Sequence, residues 1–362
     1  MTVSQDKMLV LSPLFEVKKT PYGGRGCYAL APIAKGSEVL CCKAPLSSSI
    51  LRSFKKEVCS WCFHYENGSN LKHRAPGVPN NFYFCSAQCA DSFVRWDELA
   101  VYRSCIDSVE EQYLRVQKKK PTSNVDSSAD SSAVTAESVE CSWLEVNRWE
   151  ERLPQKPTKR MNLIPYVDEN ELLEIKYAVG VLYEMYKRHS KQQDPTGEDS
   201  DPEAHPQDEN FLSFDLLQSD ELLKLQKYPA LVESYTRVYQ FMRLTVAAEL
   251  QPLLCTATFR DIIGKNLSNA FGIWSLDAGD KEFFGYSVYP TASYFNHSCC
   301  PNLVKTRKGR SLHFTTMEDI PAGAEMYICY GNSGEEDQTV RQKELDEWHF
   351  QCQCGKCLSE AQ

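Results

Sequence analysis

Closely spaced cysteines are the feature that most constrains how this chain can fold. The first group is Cys59-Ser60-Trp61-Cys62 followed by Cys85-Ser86-Ala87-Gln88-Cys89, which holds four thiols in two short pairs. Two such pairs supply the four sulfur ligands of a tetrahedral structural zinc. Buried free thiols are the alternative, but close pairs separated by polar, proline-containing sequence are a poor way to fill a core. The spacing predicts a zinc site formed by Cys59, Cys62, Cys85 and Cys89.

A second group lies far along the chain, in Cys352-Gln353-Cys354-Gly355-Lys356-Cys357. It offers three thiols, one fewer than a closed structural zinc site needs. Spacing alone admits either Cys299 or Cys300 as the fourth ligand. We interpret His64 and His73, which lie within the first group, as surface residues because four cysteines already satisfy one zinc.

Composition indicates an intracellular globular protein. The chain has 362 residues, 42% of them hydrophobic, enough for one elaborated domain or two to three small ones. It contains no apolar run of about 18 residues, and its first residues lack the pattern of a secretory signal. We therefore expect a location in the cytoplasm, the nucleus or both, where thiols stay reduced and zinc is favoured over disulfides. The net charge of -9 disfavours direct nucleic-acid binding.

Hydrophobic patterns give the order of elements along the chain. Short β-type runs with glycine turns occupy residues 14–46, and a helix is expected near Ala90 to Tyr102. Short β-type runs return from Asn269 onward. Two apolar faces recur at helical spacing and predict core helices: Ile175, Val179, Leu182 and Tyr186, then Leu231, Tyr235, Val238 and Met242. Stretches near 118–140 and 192–209 hold few large apolar residues and are predicted to be disordered loops.

Several motifs then occur in a characteristic order. Asn269-Ala270-Phe271-Gly272 is followed by Tyr289-Pro290-Thr291-Ala292-Ser293 and by Asn296-His297-Ser298-Cys299. Pro321-Ala322-Gly323-Ala324-Glu325 precedes Tyr327-Ile328-Cys329-Tyr330-Gly331, and Gly24-Arg25-Gly26 lies near the start. Together with the cysteine groups, these motifs resemble the SET and MYND domain (SMYD-like) family of protein lysine methyltransferases over most of the chain.

The resemblance implies an α+β protein with a β-rich SET fold. A MYND-like zinc finger insert and a helical intermediate region split that fold, and a zinc-binding post-SET tail follows it. The implied segments are 14–58 (SET N-terminal part), 59–105 (MYND-like finger), 106–268 (helical intermediate region), 269–334 (SET core) and 335–362 (post-SET tail). The family's large C-terminal helical repeat domain is missing, so the chain looks like a short form.

The resemblance also assigns site residues. Tyr330 is implied as the catalytic tyrosine, and Cys299 as the cysteine that joins Cys352, Cys354 and Cys357 on zinc. The residues implied to contact S-adenosylmethionine are Gly24, Arg25, Gly26, Asn269, Ser293, Asn296, His297, Tyr330, Trp348 and Phe350. Trp348 and Phe350 are also expected, with Tyr286, to wall a lysine channel.

The function implied is methyl transfer from S-adenosylmethionine to the ε-amine of a lysine in a histone or non-histone protein. Tyr330 should orient the amine, since a tyrosine is a poor general base at neutral pH. About two zinc ions, both structural, are expected, because a second set of MYND ligands is not visible between Cys62 and Cys85. A catalytically inactive zinc-binding scaffold is the alternative. We expect a monomer with no membrane partner.

Overall fold

The structure is a computed structural model that describes residues 11–22, 24–118, 133–193, 213–275, 282–331, 337–346 and 350–360, without the side chains of 191–193 and 267. The chain divides into two compact units. The first comprises Met1–Pro45, Ser200–Leu217 and Tyr289–Gln362, and the second comprises Leu46–Asp199 and Gln218–Val288. The division falls inside the predicted SET core of 269–334, whose outer boundaries stay predictions.

The strands, in chain order, are β1 (Phe15–Lys19), β2 (Arg25–Ala29), β3 (Glu38–Cys42), β4 (Ser47–Ile50), β5 (Ala270–Trp274), β6 (Phe283–Val288), β7 (Asn296–His297), β8 (Leu303–Lys308), β9 (Ser311–Thr316) and β10 (Glu325–Ile328). The α-helices are α1 (Ala87–Trp96), α2 (Val101–Gln117), α3 (Ala136–Glu151), α4 (Pro157–Arg160), α5 (Glu169–Gln193), α6 (Glu221–Lys227), α7 (Ala230–Thr245), α8 (Thr256–Asn269), α9 (Gln338–Leu345) and α10 (Gly355–Glu360). Short 3₁₀ turns occupy Arg52–Phe54, Met161–Leu163, Gln251–Leu253 and Ala292–Tyr294. The α+β class with a β-rich SET fold is confirmed.

Two sheets build the first unit. One has the strand order β1-β2-β10-β7, and the other has the order β3-β9-β8. β10 is antiparallel to β2 but parallel to β7, so that Tyr327 lies opposite Asn296. Buried aromatic rings fill the core: Phe295 lies 5.5 Å from Phe15 and 4.9 Å from Phe314 between ring centroids. This arrangement fixes β7, a strand of two residues, beside the strand that leads to Tyr330.

Long helices and a small sheet build the second unit. Its sheet has the order β4-β6-β5, and α5 packs on β4, where the Ser47 hydroxyl donates to the Tyr177 carbonyl at 2.8 Å. The predicted apolar face of α5 is confirmed for Ile175, Val179 and Leu182, which are fully buried, while Tyr186 is half-buried. Burying each such side chain stabilises the fold by about 1.5–3 kcal/mol. The face of α7 is confirmed likewise by the burial of Tyr235, Val238 and Met242, while Leu231 is half-buried.

The predicted loop near 118–140 is wrong over its last residues. Helix α3 begins at Ala136 because Thr135 and Ser138 form a reciprocal capping box, with the Ser138 N–H donating to Thr135 Oγ1 at 3.2 Å. Burial of Val139 and Trp143 then stabilises the first turns. The rest of that loop over 119–132 and most of the loop predicted at 192–209 lie outside the described residues.

The single helix predicted near Ala90 to Tyr102 is also corrected, because the structure has two helices there. Helix α1 ends at Trp96, and the buried carboxylate of Asp97 accepts hydrogen bonds from the backbone N–H groups of Tyr102 and Arg103 at 3.0 and 2.9 Å. A carboxylate in that position satisfies N–H groups at the start of α2, so a new helix begins where the first one stops. The expected finger boundary at residue 105 therefore falls inside α2.

Within the described ranges, no helix combines the length and apolar character needed to cross a bilayer.

A carboxylate in the second unit makes stability depend on pH. Glu174 on α5 accepts hydrogen bonds from Tyr286 Oη at 2.9 Å and Asn266 Nδ2 at 2.5 Å, and burial raises the pKa of Glu174 from 4.5 to about 7. A raised pKa means that the native state binds more protons than the unfolded state between these two values. The free energy of unfolding should therefore fall by about 2 kcal/mol as pH rises from 4.5 to 7.

The measurement is urea unfolding of Glu174→Gln against the wild type across that pH range. The variant should lose this part of the pH dependence, while Glu145→Gln, at an exposed position on α3, should keep it. Identical pH profiles for the wild type and Glu174→Gln would show that Glu174 titrates at its ordinary pKa.

Candidate active site and metal sites

Four cysteine thiols converge in the second unit. Cys59 and Cys62 lie in the loop after β4, whereas Cys85 and Cys89 flank the start of α1, where the Ser86 side chain accepts from the Cys89 N–H at 3.2 Å. The sulfur atoms all lie within 4.8 Å of one another, with Cys62 3.4 Å from Cys85 and Cys85 3.6 Å from Cys89. Sulfur ligands of a tetrahedral zinc are roughly 3.8 Å apart, so the group is the right size to hold zinc.

The two histidines within this segment are on the surface, as expected. His64 is exposed and lies 2.9 Å from the Glu66 carboxylate, and His73 is exposed as well. Neither belongs to a group of possible ligands among the described residues. The segment is packed instead by apolar side chains, since Phe63 and Val58 form a cluster with Ile273 and Phe284.

A second group of four thiols lies in the first unit. Cys352, Cys354 and Cys357 are joined by Cys299, whose sulfur is 3.8 Å from Cys352 and 3.6 Å from Cys357. The alternative left open by spacing, Cys300, is exposed and lies outside this group. The structure therefore places the fourth thiol at Cys299, and the donor set fits zinc as the first group does.

A buried cation accompanies the tail cysteines. Arg341 on α9 is 3% exposed, and its Nη2 lies 3.7 Å from the Cys357 sulfur and also pairs with the Glu360 carboxylate. Four thiolates around a divalent zinc carry a net negative charge, which a guanidinium at this distance offsets. No sequence pattern pointed to Arg341, because it lies in a polar helix away from the cysteine spacing.

A third group of possible ligands, on β3 and β9, is not built like the other two. His313 Nδ1 lies 2.7 Å from the Glu38 carboxylate, while its Nε2 lies 3.9 Å from the Cys41 sulfur. The two neighbours therefore face opposite sides of the imidazole ring. One ion on either side of the ring cannot take both, so we interpret this group as a surface hydrogen-bonded cluster.

Asn296 lies where β7 meets the turn that carries Gly24. Its Nδ2 donates to the Arg25 carbonyl at 2.9 Å and to Glu325 Oε1 at 2.8 Å. Gly24 has a φ of +73°, which favours glycine, and a Cβ built there would meet nothing within 4 Å. Gly26 has no room for a side chain, because a Cβ would come within 2.2 Å of Glu325 Oε1. The sequence-predicted turn and Asn296 thus form one corner of the unit, with open space beside Gly24.

His297 connects that corner to Tyr330 and to the tail cysteines. The Tyr330 backbone N–H donates to His297 Nδ1 at 3.0 Å, which leaves the proton on Nε2, 3.4 Å from the Cys299 sulfur. Burial lowers the pKa of His297 to about 4, so the ring is neutral at neutral pH. The imidazole therefore accepts from the backbone of Tyr330 and donates to a candidate zinc ligand.

The Tyr330 side chain is held at its hydroxyl end. That hydroxyl donates to the Phe295 carbonyl at 2.8 Å, and burial raises the pKa of Tyr330 above its ordinary value. The rings of His297 and Phe350 lie 5.4 and 6.2 Å from the Tyr330 ring. The structure thus brings together three residues that the sequence analysis named, and Tyr330 stays protonated at neutral pH.

The other named residues have different surroundings. Arg25 lies over the Tyr294 ring at 4.9 Å and donates to the Leu216 carbonyl, and the Ser293 hydroxyl donates to the Tyr289 carbonyl at 3.2 Å. Asn269 is the last residue of α8 in the second unit, where its Nδ2 donates to the Lys265 carbonyl at 2.7 Å. Trp348 lies outside the described residues.

Two polar residues of this corner were assigned no role from the sequence. Asn302 acts on the backbone of β10: its Oδ1 accepts from the Tyr327 N–H at 2.8 Å, and its Nδ2 donates to the Glu325 carbonyl at 2.9 Å. Glu325 accepts from Tyr22 and Tyr28 as well as from Asn296. Asn302 lies three residues after the Asn296-His297-Ser298-Cys299 motif, and that proximity was its only signal in the sequence.

Comparison with known families shows which fold contains the turn at Gly24, Asn296 and Tyr330. The family described as "SET domain" matches residues 24–331, which is most of the chain. The chain belongs to the SET-domain family. The matched range begins at Gly24 and ends just after Tyr330, so the corner described above lies within this SET domain.

Curated relatives agree with this placement. This SET-domain chain is 32% identical to "Potential protein lysine methyltransferase SET6" of Saccharomyces cerevisiae, over 97% of each chain. It is 38% identical to a SET and MYND domain-containing protein of Dictyostelium discoideum and 28% identical to the human "Histone-lysine N-methyltransferase SMYD3". Those two matches cover 27% and 43% of this chain, and only 25% and 36% of the relatives.

Proposed function

We propose that this chain transfers a methyl group from S-adenosylmethionine to the ε-amine of a lysine in a protein substrate. The observation that carries the proposal is the position of the Tyr330 hydroxyl, held by the Phe295 carbonyl directly before Asn296 and His297. Membership of the SET-domain family and the 32% identity to a potential protein lysine methyltransferase support it.

The corner around Asn296 fits S-adenosylmethionine, which supplies a sulfonium methyl group for in-line transfer. The open space beside Gly24 can admit the cofactor, and the polar side chains of Asn296 and His297 lie in the same corner. We assign Gly24, Arg25, Gly26, Ser293, Asn296 and His297 to its binding, with Phe350 as a wall. Asn269 and Trp348 stay predictions from the family resemblance.

Tyr330 is proposed to orient the reacting groups and not to remove a proton. Burial keeps its hydroxyl protonated, and because its one proton is donated to the Phe295 carbonyl, the oxygen presents acceptor lone pairs to the reacting groups. Methyl transfer needs two ligands held in line and water kept away, and a hydroxyl fixed by a backbone carbonyl contributes a rigid contact for that purpose. The substrate lysine must react as its neutral amine, which the aromatic surroundings of Tyr330 and Phe350 favour.

The experiment that tests the function has two steps. Purified protein is first titrated with S-adenosylmethionine by calorimetry, and binding is expected. Labelled S-adenosylmethionine is then incubated with the protein and a cell extract, and hydrolysates are examined for methyl-lysine. Absence of binding by folded, zinc-loaded protein would favour the inactive zinc-binding scaffold, which no structural observation supports at present.

We propose that two zinc ions are bound per chain, one at each four-cysteine group. Metal analysis of purified protein should give about two zinc ions, both structural because sulfur fills all four positions. Cys59→Ser should lower the content to about one and leave the tail ion in place, because the two groups share no ligand. Cys41→Ser, at the exposed cluster on β3, is the matched control and should retain two. A value of three in the wild type would contradict this assignment.

The identity of the protein substrate, the monomeric state, the lack of nucleic-acid binding and the cytoplasmic or nuclear location stay predictions. A histone and a non-histone protein are equally compatible with the corner described.

A further inference from the structure

The carboxylate of Glu325 lies at the centre of a hydrogen-bond network beside the proposed cofactor corner. Oε1 accepts from Tyr22 at 2.5 Å and from Asn296 Nδ2 at 2.8 Å. Oε2 accepts from the hydroxyls of Tyr28 and Tyr327 at 2.9 and 2.8 Å. Among the described residues no lysine, arginine or histidine forms an ion pair with Glu325, so four neutral donors surround this carboxylate.

The tyrosines act as permanent donors to this carboxylate. Burial and the neighbouring Glu325 raise the pKa of Tyr22 and Tyr28 well above the ordinary value, and that of Tyr327 to about 12. Each hydroxyl thus keeps its proton at neutral pH. Hydrogen bonds to a charged acceptor are about twice as strong as those between neutral groups, so the carboxylate is held in one position.

That position determines how the Asn296 amide is turned. The amide nitrogen faces three oxygen atoms: Glu325 Oε1, the Arg25 carbonyl at 2.9 Å and the Tyr22 hydroxyl at 3.2 Å. The opposite orientation would place the amide oxygen against the Glu325 carboxylate and the Arg25 carbonyl, neither of which can donate. Asn296 Oδ1 consequently faces away from Glu325 and makes no hydrogen bond to another described residue.

We propose that Glu325 is a positioning residue that fixes the Asn296 amide with its oxygen outward, so that the corner selects a ligand carrying an ammonium group. The inference rests on the proposed function, since the amino group of S-adenosylmethionine and of its product is the ammonium in question. An outward amide oxygen accepts from an ammonium, and a carboxylate surrounded only by neutral donors adds an attractive potential for the same charge.

The room at Gly26 supports this assignment independently of the hydrogen bonds. A Cβ at Gly26 would lie 2.2 Å from Glu325 Oε1 and 2.8 Å from Asn296 Nδ2. The glycine therefore allows the carboxylate and the amide to meet directly beneath the turn. Gly24, in contrast, faces open space.

The test compares two probes that differ only in the amino group: S-adenosylhomocysteine and its deamino analogue. Wild-type protein should bind the first more tightly. In Glu325→Gln the amide of residue 296 is free to turn, so affinity for S-adenosylhomocysteine should fall about tenfold, while the Kd of the deamino analogue should change less than twofold. Tyr28→Phe leaves the contact between Glu325 and Asn296 intact and should preserve the preference.

The results of these binding measurements distinguish failure of the positioning role from failure of the proposed function. If wild-type protein binds neither probe nor S-adenosylmethionine, the proposed function fails. If wild type binds and Glu325→Gln weakens both probes equally, or neither, the positioning role is wrong. Should Glu325→Gln fail to fold, Glu325→Asp replaces it, because a carboxylate on a side chain shorter by one methylene keeps its charge but withdraws from Asn296 Nδ2. That variant should reduce the same preference severalfold, and an unchanged preference would overturn the inference.

Discussion

Replacing Tyr330 with phenylalanine should lower the rate of methyl transfer by about 10²- to 10³-fold. The reason is geometric: the hydroxyl is held by the Phe295 carbonyl at 2.8 Å, and its loss removes the fixed contact that orients the reacting groups. Affinity for S-adenosylmethionine should stay within about threefold, because the ring of residue 330 still packs against those of His297 and Phe350. Single-turnover transfer to methyl-lysine and calorimetric binding measure the two effects separately.

A matched control exists in the same unit. Tyr289 donates its hydroxyl to the Arg310 carbonyl at 2.6 Å, so Tyr289→Phe also removes a hydroxyl bound to the backbone. Both variants should lower the free energy of unfolding by about 1 kcal/mol, but only Tyr330→Phe should lose activity. Equal transfer rates in wild type and Tyr330→Phe would remove Tyr330 from the proposed reaction.

Replacing Cys357 with serine should lower zinc content by one ion and weaken the binding of S-adenosylmethionine at least tenfold. The link is a chain of contacts: Cys357 lies 3.6 Å from Cys299, and Cys299 lies 3.4 Å from His297, which accepts from the Tyr330 backbone. Without the ion these thiols no longer hold His297 in place. Because metal binding stabilises only the folded tail, stability of the first unit should fall by several kcal/mol.

Cys300→Ser provides the comparison for this variant. Cys300 is adjacent to Cys299 but exposed and outside the four-thiol group, so zinc content and cofactor affinity should not change. A Cys357→Ser protein that has lost its tail ion yet binds S-adenosylmethionine like wild type would show that the tail and the cofactor corner are independent.

Spacing was sufficient to find the cysteine groups because metal ligands are restricted to few residue types and short separations. The apolar faces of α5 and α7 were also readable, since burial imposes a helical period on the sequence. The start of a second helix after Asp97 could not be predicted, because one buried carboxylate starts a new helix without altering any hydrophobic pattern. The start of α3 was missed although Thr135 and Ser138 carry a recognisable capping signal, which the surrounding polar sequence concealed.

The contacts of Glu325 are the clearest example of a site feature that the sequence alone does not predict. Its partners Tyr22 and Tyr28 lie 303 and 297 residues away along the chain, and tyrosine hydroxyls replace the cation expected beside a carboxylate. No local pattern can predict such an arrangement. The choice of Cys299 over Cys300 was similar in kind, since it depended on family resemblance until the structure placed one sulfur beside the tail.

The hydrogen bond between Asn296 and Arg25 joins residues 271 positions apart, and the tail thiols enter the same corner from beyond residue 350. During synthesis the turn at Gly24 therefore emerges from the ribosome long before the residues that contact it have been translated. Strand β2 can pair with β1 at once, but its other edge waits for β10, and β7 can pair only when β10 has emerged as well. Nascent chains that stop short of Cys357 should consequently retain no cofactor, so methyl-transfer capacity would arise late in synthesis, in one step.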